Sequence, residues 1–186
     1  VSEDKGVKYI RIQTSNGEQI TIEGDELLIS SGRKPNLSAI QGLTITMNGP
    51  FIAVNQHLET SIPNMYAVGD CIGGWQLAHV ASAEGIIAAK NAVGFEKEIN
   101  YTSVPRCIYT SPEIASVGLT EQEARERGLR YRTQTFPLSA SGKAMAMDER
   151  IGFIKIIGEE TYGELLGVVM VGPHVTEMIS QASSFI

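Results

Sequence analysis

The chain has 186 residues, of which 42% are hydrophobic and 19 are glycine, and it carries a formal net charge of −6. That is enough apolar material for one ordinary domain or two small ones, and it excludes a wholly disordered chain. No basic block favours nucleic acid, no run of eighteen apolar residues offers a membrane-spanning helix, and the two cysteines, Cys71 and Cys107, are too few for a disulfide scaffold or a zinc site. Val1-Ser2-Glu3-Asp4-Lys5 lacks the basic start and apolar stretch of a secretory signal, so a reducing, cytoplasmic setting is expected. With no initiator methionine, the chain reads as an internal piece of something longer.

The first segment reads as β-structure. Val7–Ile12 and Gln19–Ile22 are rich in strand formers and flank Ser15-Asn16-Gly17, a hairpin signal in which both Asn16 and Gly17 are expected at positive φ. Leu27-Leu28-Ile29 reads as a short strand buried on both faces. Gly32-Arg33-Lys34-Pro35-Asn36 is a connector. Phe51–Val54 and Met65–Val68 follow as short strands, the second running straight into Gly69-Asp70. Residues 76–93 have helical spacing, with Leu77, Val80, Ile87 and Val93 placed near one face and Gly94 at the end.

A second unit begins near Val104-Pro105. Thr120-Glu121-Gln122-Glu123 is a capping box, and its helix stops at Gly128. Strands are expected over 130–138, 151–157 and 164–171. A last helix follows Gly172-Pro173, with Val175, Met178, Ile179 and Ala182 on one face. The fold class is α/β and α+β: a first piece over roughly residues 1–95 that reads as incomplete, then a second over roughly 104–186 with a mixed sheet and helices. Met145 and Met147 suit either a subunit contact or a core.

The sharpest chemical feature is Tyr66-Ala67-Val68-Gly69-Asp70. Ligands in open α/β sheets sit beyond the carboxyl ends of strands. Gly69 would let a ligand approach the backbone, Asp70 would accept a hydrogen bond from a ribose or ribityl hydroxyl, and the helix start near Gln76-Leu77-Ala78 would offer free amides. A plain strand-ending turn explains the same residues.

Five stretches taken together go further. They are Leu27 to Asn36, Ile62 to Asp70, Leu77-Ala78-His79, Tyr109 to Glu121, and Gly163 to Gly167 continuing through Val171-Gly172-Pro173. In these, and in their order, the chain resembles the flavin-dependent pyridine nucleotide–disulfide oxidoreductases, most closely the branch that acts on dihydrolipoyl groups. The resemblance implies that residues 1–35 end an NAD domain, 36–103 form the C-terminal part of an FAD domain, and 104–186 form an interface domain pairing two identical subunits. It implies that Asp70, at the Gly69 turn, holds the ribityl chain of FAD and that the amides of Leu77, Ala78 and His79 lie near the flavin's pyrimidine edge. Arg33 would lie near the cofactors or serve as a solvated loop arginine. Tyr109 would face the partner near the disulfide-substrate channel or be an ordinary interface tyrosine.

The implied reaction passes electrons from a protein-bound dihydrolipoyl group, carried by a 2-oxoacid dehydrogenase or glycine cleavage complex, through a redox disulfide and FAD to NAD. The family's two cysteines stand five positions apart, whereas Cys71 and Cys107 do not, and its histidine base precedes a proline, whereas His57, His79 and His174 do not. No catalytic residue is therefore assigned in this chain, no metal is expected, and the chain alone is expected to be inactive and to bind no flavin tightly. Two other readings stay open: a glutathione-type disulfide reductase, and a non-catalytic dimerisation module.

Overall fold

The computed structural model describes all 186 residues, which form two compact units, residues 1–41 and 42–186. The first unit is a three-stranded antiparallel sheet in the order β1 (Ser2–Asp4), β2 (Val7–Gln13), β3 (Gln19–Gly24). The expected hairpin is present, with Ile10 opposite Ile22 and Ile12 opposite Ile20. Its turn differs from expectation at Asn16. Only Gly17 is left-handed, at φ 86°. Hydrogen bonds from Gly17 N to Thr14 O and from Thr14 N to Glu18 O, both 2.9 Å, close the loop with a glycine bulge, so Asn16 keeps ordinary backbone and its side chain accepts from Glu18 N.

Leu27–Ile29 is not a strand, and Leu28 and Ile29 are 89% and 74% exposed. The sheet of this unit ends at β3, so the run has no neighbouring strand to satisfy its backbone or cover its faces.

The second unit begins with a small hairpin of β4 (Met47–Asn48) and β5 (Phe51–Ile52) turning at Gly49-Pro50. Met65–Val68 contributes only one bridge, Glu59 with Tyr66. Left-handed Asn64 (φ 62°) and Gly69 (φ 76°) hem it in, leaving too short a run for a ladder. Helix α1 (Ala78–Ala92) ends in a Schellman motif, with Phe95 N donating to Lys90 O at 3.1 Å and Gly94 N to Asn91 O at 3.0 Å.

The remaining chain builds a five-stranded sheet in the order β6 (Arg106–Ile108), β7 (Glu113–Gly118), β10 (Leu165–Gly172), β9 (Phe153–Glu159), β8 (Tyr131–Pro137). The α+β class holds, but every pairing is antiparallel, so the expected mixed sheet is corrected. The short connections β6–β7 and β9–β10 join antiparallel neighbours, and parallel neighbours would need longer crossovers. Helix α2 (Glu121–Glu126) carries the complete capping box: Thr120 Oγ1 accepts from Glu123 N at 3.1 Å while Glu123 Oε2 accepts from Thr120 N at 2.7 Å. A short helix, α3 (Gly142–Ala146), leaves Met145 and Met147 exposed.

Helix α4 (Val175–Ser183) packs on β7 and β10. Val175, Ile179 and Ala182 join Ala115, Val117, Val168 and Met170 in the core. Met178, expected on the same face, is 39% exposed because it lies at the edge of that stripe. Glu113 fastens the helix start: its carboxylate accepts from Thr176 Oγ1 at 2.8 Å and Thr176 N at 3.1 Å. Those bonds hold its pKa below the usual carboxylate range.

Candidate functional site

The residues of interest lie along one path, from the loop before Gly69 to the start of α1. Val68 is extended, Gly69 turns left-handed, and Gly69–Ile72 forms one 3-10 turn. Gly73 (φ 79°), Gly74 (φ 70°) and Gln76 (φ 49°) then swing the chain into Ala78. Gly73 is required for a second reason, since a Cβ there would stand 3.0 Å from the Phe51 ring.

Asp70 sits on the 3-10 turn with its carboxylate exposed, and no group of the chain donates to it. Leu77 is the N-cap of α1, and no side chain caps that end. The first intrahelical bond is Ala81 N to Leu77 O at 3.0 Å, so the amides of Ala78, His79 and Val80 lack helical partners. Ala78 and His79 are exposed. An unpartnered carboxylate and an uncapped helix N-terminus therefore lie at the two ends of one glycine-rich turn. These groups suit a polyol chain that donates to the carboxylate and a polar ring edge that accepts from the amides, which is what a flavin presents.

Gly69 has a different local task from the one expected. Its N–H donates to Glu84 Oε2 at 2.6 Å, and a Cβ would stand 3.2 Å from Ala81 Cβ. The open side of Gly69 is thus taken by α1, and its absent side chain seats the turn on the helix. Arg33 belongs to the first unit, exposed in its connector.

Sequence reasoning missed Glu84. Only 3% exposed, it lies in the buried stripe Val80, Glu84, Ala88, Asn91 of α1. Besides Gly69 it accepts from Tyr101 Oη at 2.7 Å. Burial, then the hydrogen bond to Glu84 and its charge, push the Tyr101 pKa well above the usual phenol range. Both side chains border a cleft of about 480 Å³ that is also lined by Leu58, Ile72, Gly73 and Trp75. A glutamate in step with Val80 and Ala88 was the signal in the sequence.

The path is also tied to the sheet. His79 Nε2 lies 3.1 Å from Pro105 O. The Arg106 guanidinium stacks 4.6 Å from the Trp75 ring centre and donates to Gly118 O at 2.6 Å. Both cysteines are free thiols. Cys71 donates to Val68 O at 3.1 Å, a local packing role. Cys107 lies on β6 with its Sγ donating to Thr176 O at 3.8 Å, where burial pushes its thiol pKa up and the Glu113 charge adds to that. Cys107 thus lacks the setting of a reactive thiolate. His57 contacts Lys97 O and His174 faces Glu149 at 3.7 Å, both away from the Gly69–His79 path in sequence and contacts. Tyr109 is 81% exposed.

Comparison with known proteins adds to this geometry. Residues 1–85 match the model of the pyridine nucleotide-disulphide oxidoreductases, and residues 104–186 match the model of that family's dimerisation domain. A dihydrolipoyl dehydrogenase of Bacillus subtilis is 45% identical over 177 residues, covering 93% of this chain and 38% of the relative. A mitochondrial dihydrolipoyl dehydrogenase of Pisum sativum is 37% identical, covering 96% and 36%. Among solved structures, LpdA of Mycobacterium tuberculosis superposes with a TM-score of 0.80 at 30% identity, covering 94% of this chain and 38% of that one. The HOCl-induced flavoprotein disulfide reductase RclA of Escherichia coli gives 0.77 at 28% identity, covering 90% and 40%. The chain thus spans well under half the length of the relatives it matches. Two family models over most of the chain, and an antiparallel sheet and helix placed where the dimerisation model falls, lead to one assignment: the chain belongs to the pyridine nucleotide-disulphide oxidoreductases.

Proposed function

We propose that this chain supplies the flavin-holding edge and the subunit interface of an FAD-dependent dihydrolipoamide dehydrogenase. In this reading residues 1–35 close the NAD domain, 36–103 complete the FAD domain, and 104–186 pair two identical subunits. The observation that carries it is the pairing of the free Asp70 carboxylate with the uncapped start of α1, in a chain 45% identical to a dihydrolipoyl dehydrogenase.

Asp70 accepts a hydrogen bond from a ribityl hydroxyl and so fixes the cofactor along its length. The amides of Ala78 and His79 meet the pyrimidine edge, where the positive end of the α1 dipole favours negative charge. The flavin supplies the two-electron chemistry between a dithiol and the nicotinamide of NAD. The chain's own residues hold and orient it. The dithiol comes from a dihydrolipoyl group on a carrier protein of a 2-oxoacid dehydrogenase or glycine cleavage complex. The redox cysteines and the histidine base of this reaction are assigned outside the present chain.

A transplant tests this reading. The 177 matched residues of this chain replace their counterparts in the Bacillus subtilis dihydrolipoyl dehydrogenase. The expected holoenzyme reduces NAD with dihydrolipoamide within about tenfold of the host's kcat/KM, since no group that enters the transition state has been removed. A folded, flavin-loaded dimer that fails to turn over dihydrolipoamide overturns the proposal.

A further inference from the structure

We infer that Glu84, held by Tyr101, is a positioning residue for the cofactor: it sets the Gly69–Asp70 turn at the geometry in which the Asp70 carboxylate meets the flavin. The inference rests on the flavin reading of Asp70 given above.

Glu84 lies on the second turn of α1, the same helix whose first turn offers its free amides. One carboxylate oxygen takes the N–H of Gly69, the residue just before Asp70, and the other takes the Tyr101 hydroxyl. Each carboxylate oxygen thus has its own donor. At 3% exposure this group is nearly sealed from bulk water, so a lost donor is poorly replaced. Tyr101 is anchored beyond α1, at the approach to β6, so the bond closes a loop from turn to helix to the start of the interface sheet. The spacing between Asp70 and the α1 amides is then fixed through the helix as well as through the turn at Gly73 and Gly74. Neither Glu84 nor Tyr101 is a group that touches the reacting atoms. They act through Gly69 on Asp70.

The test uses the transplanted holoenzyme and measures FAD dissociation, the visible circular dichroism of bound flavin, and thermal unfolding. Glu84→Leu is expected to raise the FAD Kd at least about thirtyfold and Tyr101→Phe about fivefold, as lost charge-assisted and single hydrogen bonds do. Glu84→Gln is expected to stay within about threefold, because its amide accepts from Gly69 and donates to the Tyr101 oxygen. Rescue by glutamine together with an altered flavin dichroism in Tyr101→Phe supports a positioning role. Asp70→Asn is the control for the underlying reading. If it weakens FAD while Glu84→Leu and Tyr101→Phe change only the melting temperature, the positioning role is overturned and the flavin reading stands. If Asp70→Asn leaves FAD affinity unchanged, the flavin reading itself fails and the inference falls with it. In the 186-residue chain, exchange of the Gly69 amide should accelerate about a hundredfold in Glu84→Leu while the amides of 85–90 keep their protection. Unchanged exchange at Gly69 would overturn the inference independently of any cofactor.

Discussion

Gly167→Ala is expected to destabilise the second unit by at least about 4 kcal/mol, at the extreme of single substitutions. Gly167 lies in β10, between Gly118 on β7 and Ile157 on β9. A Cβ there would overlap the backbone carbonyl oxygen of Leu119. Its φ is not left-handed, so the penalty is steric and not conformational. The obstructing atom is main chain, in the stretch whose Leu119 N donates to Leu166 O at 2.8 Å. Relief therefore requires opening the β7–β10 ladder, and the core beneath it, Val117, Val168 and Ile179, comes apart with it. Gly158→Ala is the matched control, because its Cβ would meet only Glu164 O at an ordinary 3.8 Å. Urea unfolding of the two variants should give a much lower midpoint for Gly167→Ala alone. Equal midpoints would refute the packing described for this sheet.

Glu84→Ala is expected to cost about 3 kcal/mol, with Glu84→Gln costing about 1. The alanine leaves the Gly69 N–H and the Tyr101 hydroxyl without their acceptor, in a site where Glu84 itself is all but sealed from water. It also empties the middle of the stripe by which α1 packs. The glutamine refills that space and restores both partners. The difference between the two penalties, read from the same denaturation curves, separates the loss of bonding and volume together from the loss of charge. Equal costs for both variants would mean that the carboxylate charge, and not the bonding pattern, sets the stability.

Much of this was legible in the residues, for local reasons. The Thr120–Glu123 box satisfies amides within one turn, so four residues suffice to read it, and Gly128 ends that helix at φ 68°. The β2–β3 hairpin and strands β8, β9 and β10 of the five-stranded sheet carry their own composition. What was misread depends on neighbours. Leu27–Ile29 has the composition of a buried strand but no strand beside it in its unit. On α1 the expected face included Val93, which lies thirteen residues from Val80 and so about 140° round the helix, at 100° per residue. Val93 is 74% exposed, and the true stripe runs through Glu84 and Asn91. A buried stripe with two polar members hides from a hydrophobic pattern. Glu84 is polar because it answers Gly69, fifteen residues away, and Asn91 because its side chain gathers His57 O, Lys97 O and Lys97 N. Asp70 and the helix start, by contrast, stand out in the fold because their polar groups are left unpartnered, and the proposed function rests on them.

The most direct measurement is the flavin-to-protein ratio of the transplanted enzyme and its Asp70→Asn variant after gel filtration at micromolar concentration. The account predicts about one FAD per chain for the parent and a tenfold to hundredfold weaker FAD complex in the variant, roughly the worth of one charge-assisted hydrogen bond. The variant should keep the parent's dimer, and the flavin-free proteins should share one unfolding midpoint, because the Asp70 carboxylate bonds to nothing else in the chain. Full flavin retention by Asp70→Asn would contradict the claim that this turn holds the cofactor.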